Sequence, residues 1–367
     1  MNEEPILSPV ESAPEASPET TLPTPPTPEE KHLEARAMRR TFSRCGWSTF
    51  ALVLTMFLSA QILAVELLIL EELGFGVIDP YRRVLLYVNE ALIALSVLAG
   101  LLVLIGMPKT PPERRPLTPK LFFTLLPIAF AMGSAGNTVG TVLITVWNAL
   151  TGNEVSNELV EILMQLGPLQ ILVCTGLLAP LLEELFFRKL LIDRLRAHGD
   201  VAAILISALL FGLFHQNFSQ FFYAFGIGLL LGYLYCRTGS YLAVTLLHMT
   251  FNIVSGVIPT LLSQEILPFA DALNALPDLN SLEAVLSLFG EYAIPLLLYA
   301  LYMAVSGALN VIGVVLFCIN VRKLRLERPT SALSAREKRR AAVLNVGTVA
   351  AGVVLIALTV WSLFPQA

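Results

Sequence analysis

The sequence predicts an all-α fold, a polytopic transmembrane helix bundle of about nine spans (8–9). Three observations carry this. The chain is 55% hydrophobic and 14% charged, where soluble domains are about 25% charged. Its apolar residues gather into runs near or above the roughly 17–25 residues that a spanning helix needs. All of its 24 Lys and Arg except Arg82 and Arg83 lie on one alternating side of those runs, the asymmetry that sets membrane orientation. Lipid is therefore the solvent in which folding must be argued, and every backbone polar group there needs an internal partner. The lipid bilayer is the first partner expected, and nothing in the chain points to nucleic acid.

Taken in order, residues 1–30 hold eight prolines and seven glutamates without a Lys or Arg. This composition predicts a disordered, acidic cytoplasmic tail, a solvated spacer or, alternatively, a docking tail for a partner. Residues 31–45 form a basic, helical juxtamembrane segment. Apolar spans are expected at 46–70, 84–107, 121–149, 167–190, 201–217, 220–236, 241–263, 291–320 and 341–363. The third carries Gly133, Gly136 and Gly140, which predict a tilt or kink. The charge pattern puts the N-terminus in the cytoplasm and the C-terminus outside. The organisation expected is N-terminal helices over 46–158, a catalytic core over 159–263, an external loop over 264–290, and C-terminal helices over 291–367. Cys45, Cys174, Cys236 and Cys318 form no CxxC and read as free thiols.

The stretch that organises the chain is Leu177 to Arg188, LLAPLLEELFFR. It places Glu183 and Glu184 side by side in an apolar run, where one ionised group costs roughly 2.5–3.5 kcal/mol on insertion scales. His198-Gly199-Asp200 makes the next turn. Glu184 lies 15 residues before Gly199 and His215 16 after it. Antiparallel helices would bring both to a depth of roughly 22–24 Å from the turn at 1.5 Å per residue. After Arg237-Thr-Gly-Ser240, a later helix carries His248 and, one turn on, Asn252. A carboxylate, two imidazoles and a carboxamide are the parts for activating water and polarising a carbonyl. Neighbours on a helix diverge by about 100°, and Arg188 stands at i+4 from Glu184, the ion-pair spacing. Glu183 is therefore expected to be the base, with Glu184 and Arg188 bracing it. Water must reach such a site, which predicts a polar cavity opening toward the cytoplasm.

Three motifs, EELFFR (Glu183, Glu184, Arg188), FGLFH (Phe211, His215) and HMTFN (His248, Asn252), resemble the EExxxR, FxxxH and HxxxN pattern of the CAAX-protease and bacteriocin-processing (CPBP; Abi, Rce1-like) intramembrane proteases. The resemblance covers about residues 160–260. It implies hydrolysis of a peptide bond in a membrane-embedded or membrane-proximal substrate, including the prenylated CAAX type. It also implies an integral protein of the bacterial inner membrane. Carried over residue by residue, Glu183 with His215 would activate the water. His248 and Asn252 would stabilise the oxyanion, with Arg188 and Phe211 in support. Two chemistries stay open under the resemblance: zinc held by His215, His248 and Glu183, and a metal-free glutamate mechanism.

The chain contains no HExxH, no GxSG and no GxGD within a span, so other intramembrane protease chemistries fit poorly. The alternative from another class is a non-catalytic membrane protein using the same polar cluster, a transporter or an immunity or scaffold protein. A transporter predicts internal repeats and broken helices, and neither is evident. Glu66, Asn89, Glu90, Asn137 and Asn310 read as interhelical hydrogen-bonding groups, and Gly226, Gly228 and Gly232 as packing residues.

Overall fold

A computed structural model of the chain describes residues 25–152, 155, 158–276, 281–324, 326–327 and 329–364. Most of the expected tail, residues 1–24, lies outside them. The described residues are helical and include no strand. Thr27 opens the first helix, α1 (Pro28–Glu72), with a reciprocal capping box to Glu30. Such a box satisfies two otherwise orphaned donors. The basic juxtamembrane segment and the first span are thus one unbroken 45-residue helix, and Pro28–Glu30 belong to it.

The remaining helices are α2 (Ile78–Leu104), α3 (Pro119–Thr151), α4 (Glu158–Met164), α5 (Pro168–His198), α6 (Asp200–Phe214), α7 (Phe218–Thr238), α8 (Tyr241–Asn274), α9 (Leu282–Glu291), α10 (Ala293–Asn320), α11 (Ala335–Val343) and α12 (Val346–Trp361). Among the described residues, seven helices are long and apolar enough to cross a membrane, or eight if α11 and α12, bent by 65°, make one span. The upper count meets the lower bound of the expected 8–9, and two of the expected spans take another form. α6 has 15 residues, about 22 Å at 1.5 Å per residue, short of the roughly 30 Å hydrocarbon core. It stops because Gln216 takes a left-handed φ of 50°, which ends a helix. The last expected span breaks at Leu344–Asn345, where Asn345 caps α12. The expected external loop is largely helix, since α8 runs on to Asn274 and α9 follows.

The loops rich in Lys and Arg meet on one face. Arg44 donates to the carbonyls of Val103 and Ile105 at the end of α2. Thr110 N–H donates to the Asp193 carbonyl and Arg115 N–H to that of Thr238. Arg196 pairs with Asp200 at 2.8 Å and with Glu327, and Glu34 accepts from Ser331 and Ala332. The segments that the charge count assigned to one side are thus bonded to one another. Large apolar side chains such as Leu68, Leu98, Leu246 and Leu297 point outward, which suits lipid as the surrounding solvent.

Glycines set the close helix contacts. A Cβ on Gly136 would stand 2.4 Å from Tyr223 Cα, and one on Gly140 2.6 Å from the Ser219 carbonyl oxygen. The glycines of α3 therefore seat it against α7, as small residues do between membrane helices, and α3 is one helix with Pro127 inside it. Gly228 likewise lies against Ala208 and Gly232 against Ile204. All four cysteines are free.

Candidate active site

The site is carried by α5, α6 and α8. In α5 the segment Ala179–Glu184 is flanked by two π-helical stretches, Leu172–Leu178 and Leu185–Ile192. A third, Ile253–Val257, begins right after Asn252 in α8. Wider turns of this kind re-aim side chains and recur at functional sites. They are invisible to 3.6-residue periodicity, so no sequence signal found them.

Glu184 and Arg188 are both fully buried. Arg188 Nε lies 3.0 Å from Glu184 Oε2, and the Arg188 guanidinium carbon sits 4.6 Å from the centroid of the Phe211 ring, a cation–π contact. The other oxygen of Glu184, Oε1, accepts from His248 Nδ1 at 2.9 Å. Arg188, Glu184 and His248 thus form one chain inside the bundle. Buried charges persist only when paired, and Arg188 has its ion pair and the Phe211 ring there, with no hydrogen-bond acceptor on its nitrogens among the described residues. Glu183, 11% exposed at its side chain, approaches the far side of the same ring, with Oε2 3.8 Å from His248 Nε2.

His215 lies just past the end of α6, its Nδ1 2.9 Å from the Phe211 carbonyl. A carbonyl only accepts, so that nitrogen carries a proton. The same reasoning puts a proton on His248 Nδ1 facing the Glu184 carboxylate. In its neutral form each ring then presents Nε2 as an acceptor. Phe211 stands edge-on to both imidazoles, at 5.0 Å from His215 and 5.8 Å from His248. Asn252 Nδ2 donates to the Thr175 carbonyl at 3.1 Å, which leaves its second N–H free for another acceptor. Sequence reasoning missed Thr175, and also Tyr241, whose hydroxyl donates to the Leu181 carbonyl at 2.7 Å. It missed Tyr223 too, which packs edge-on against His215.

A cavity of about 380 Å³ between α3, α7 and α8 touches the cluster at Asn252, lined among others by Asn137, Thr175, Tyr223, Asn252 and Ser255. Asn137, expected to bond between helices, is one of its exposed walls. Asn310 bonds within its own helix, to the Ser306 carbonyl. Glu90 is buried with Oε2 unpartnered.

The donor types expected for zinc are present. However, no group of three or more His, Cys, Asp or Glu among the described residues is arranged to hold a metal ion. The set His215, His248 and Glu183 does not fit an ion as placed. The Nδ1 atoms of the two rings are already bonded, to the Phe211 carbonyl and to Glu184.

Residues 165–254 match the family model described as type II CAAX prenyl endopeptidase Rce1-like. The chain carries an Rce1-like domain. That domain takes in α5 from near its start, α6, α7 and α8 through Asn252, and so every residue of the polar cluster. No curated protein and no solved structure matches the chain. An Rce1-like domain set among apolar helices long enough to cross a membrane makes this an integral membrane protein.

Proposed function

We propose that the protein is an intramembrane endopeptidase in which Glu183 activates water and the Arg188–Glu184–His248 chain handles the proton. The observation that carries this reading is the placement of His248 between two carboxylates, Nδ1 at 2.9 Å from Glu184 and Nε2 at 3.8 Å from Glu183. Glu183 takes a proton from water that the acceptor Nε2 of His215 helps to orient. The hydroxide adds to the peptide carbonyl, and the free N–H of Asn252 donates to the oxygen that becomes negative. The proton passes from Glu183 to His248 Nε2. The imidazolium so formed is stabilised by Glu184, which Arg188 holds in place. His248 then protonates the leaving amine as the C–N bond breaks.

This reading changes one role implied by the family resemblance. His248 serves the proton, and the oxyanion rests on Asn252. The chain's own groups complete the cycle, so no step is assigned to zinc. The substrate is a peptide segment in or beside the membrane, and the proposed setting is a bacterial inner membrane with the N-terminus cytoplasmic.

The test is cleavage of a membrane peptide by purified protein and by Glu183→Gln. Loss of turnover in a folded variant supports the reading. Unchanged turnover would remove Glu183 as the base, and no cleavage by the unaltered protein would favour a non-catalytic role for the cluster.

A further inference from the structure

We propose that the basic face carries a binding site for one anionic phospholipid, with its phosphate on the arginines of α11 and an acyl chain in the groove between α6 and α12. The site lies outside the polar cluster and does not rest on the peptidase reading. α11 is bent by 65° from α12. It turns Ala341 and Ala342 inward and leaves Arg336, Arg339 and Arg340 exposed. Positions i, i+3 and i+4 share one face of a helix. The three arginines, with Val343 and Leu344, line an open basin of about 480 Å³. Nearby carboxylates are engaged elsewhere. Glu337 closes the capping box on Ser334, and Glu34 accepts from Ser331 and Ala332. Among the described residues, no ion pair joins these three arginines to a carboxylate.

Val343 belongs to a second cavity as well. This groove of about 450 Å³ follows α12 past Gly352 to Val360 and is walled on the other side by residues such as Leu210 and Phe221. Its lining is aliphatic and phenyl apart from Thr348 and Thr359. Thr348 to Val360 measures about 18 Å at 1.5 Å per residue, close to the roughly 15 Å of one leaflet in a 30 Å core. Val353 and Ile356 in its wall are exposed, so the groove opens sideways to lipid. A Cβ on Gly352 would meet nothing within 4 Å, so the groove is vacant at that point. The bend between basin and groove is pinned to α1. Gly347 N–H donates to Ser43 Oγ at 3.0 Å, and the Thr348 hydroxyl donates to the Phe42 carbonyl at 3.2 Å. Guanidinium groups match phosphate oxygens in charge and in fork geometry, and a basic helix at a bilayer surface attracts anionic lipid. An acidic peptide would meet the arginines but leave the groove unfilled. A neutral lipid would fill the groove but leave the cations unmatched. An anionic phospholipid satisfies both, and the two cavities meet at Val343.

The experiment is native mass spectrometry of the full-length protein in detergent, which counts bound lipid. The probes are dioleoyl phosphatidylglycerol, dioleoyl phosphatidylcholine, glycerol 3-phosphate and a hexaglutamate peptide. Each Arg near an anionic surface is worth about fivefold in binding. Phosphatidylglycerol is therefore expected to bind about tenfold or more tighter than phosphatidylcholine. The triple variant Arg336→Gln, Arg339→Gln, Arg340→Gln should lose that preference. If it does not fold, Arg340→Gln alone carries the test, with an expected loss of about fivefold. Gly352→Leu, which enters the groove where a Cβ meets no protein atom, should weaken both phospholipids while leaving the thermal midpoint of the lipid-free protein unchanged. Equal binding of the two phospholipids, or a preference that survives the arginine changes, would overturn the proposal. So would Gly352→Leu without effect, since the groove would then hold no chain. Glycerol 3-phosphate or hexaglutamate binding as tightly as phosphatidylglycerol would replace the lipid by a free phosphate or an acidic peptide. Lipid binding requires no turnover, so its failure and that of the peptidase reading are separable.

Discussion

Glu184 and His248, 64 residues apart in sequence, are joined by a 2.9 Å hydrogen bond at the centre of the bundle. Both are almost free of solvent, and Arg188 closes the chain on the other carboxylate oxygen. A helix-by-helix reading foresees Glu184 with Arg188. The bond to His248 ties that pair to a second helix, α8, and in the proposed reaction it steadies the imidazolium.

Replacing Glu183 by Gln keeps the volume and removes the base. General acid–base groups contribute about 10²–10⁴-fold to rate, and a loss in kcat of that order is expected with little change in KM. Turnover of a membrane peptide by detergent-purified protein measures it, with thermal unfolding as the control for folding.

Replacing Arg188 by Leu leaves the Glu184 charge buried and unpaired, at a cost of about 3–5 kcal/mol. Adding Glu184→Gln should recover much of that stability, because the uncompensated charge goes with it. Activity should not return, since His248 loses the carboxylate that steadies its imidazolium. Thermal midpoints for the single and double variants test the first statement and turnover the second. Additive destabilisation would sink the pairing.

Asn252→Asp keeps the shape of the side chain but cannot donate a hydrogen bond. Removing one donor to a developing oxyanion costs about 10²–10³ in kcat, and a loss of that size is expected. A variant with normal kcat and raised KM would place Asn252 in substrate binding.

The expected zinc set is not assembled among the described residues. Turnover should therefore survive a strong zinc chelator, and purified protein should hold no stoichiometric zinc by elemental analysis. Loss of activity on chelation with recovery on added zinc would reverse this.

Gly136→Ala tests the seat of α3 on α7. The added methyl would meet Tyr223 Cα at 2.4 Å, and overpacking of this kind costs about 1–3 kcal/mol. Because Tyr223 also packs against His215, a drop in turnover should accompany the lower thermal midpoint.

Much of the fold was legible because lipid imposes strong local demands. Long apolar runs must be helices, and the starts of α3, α5, α7 and α8 fall within two residues of the expected spans. The misses have a common cause. The short α6, the break at Leu344–Asn345 and the helical stretch after residue 263 all look like ordinary runs or loops in composition. Their ends depend on single backbone conformations, such as the left-handed Gln216, and on what the neighbouring helices cover.

By itself the sequence predicted an all-α bundle of helices apolar enough to cross a membrane, and it marked Glu183, Glu184, His215, His248 and Asn252 as candidates for one site. Hydropathy, charge placement and helical spacing are local properties, readable along one strand of text. Only the tertiary structure decided which oxygen meets which imidazole nitrogen and that Asn252 leans on the Thr175 carbonyl. Those facts depend on how π-helical turns rotate side chains and on how closely glycines let α3 approach α7. They arise between helices, and no single helix encodes them.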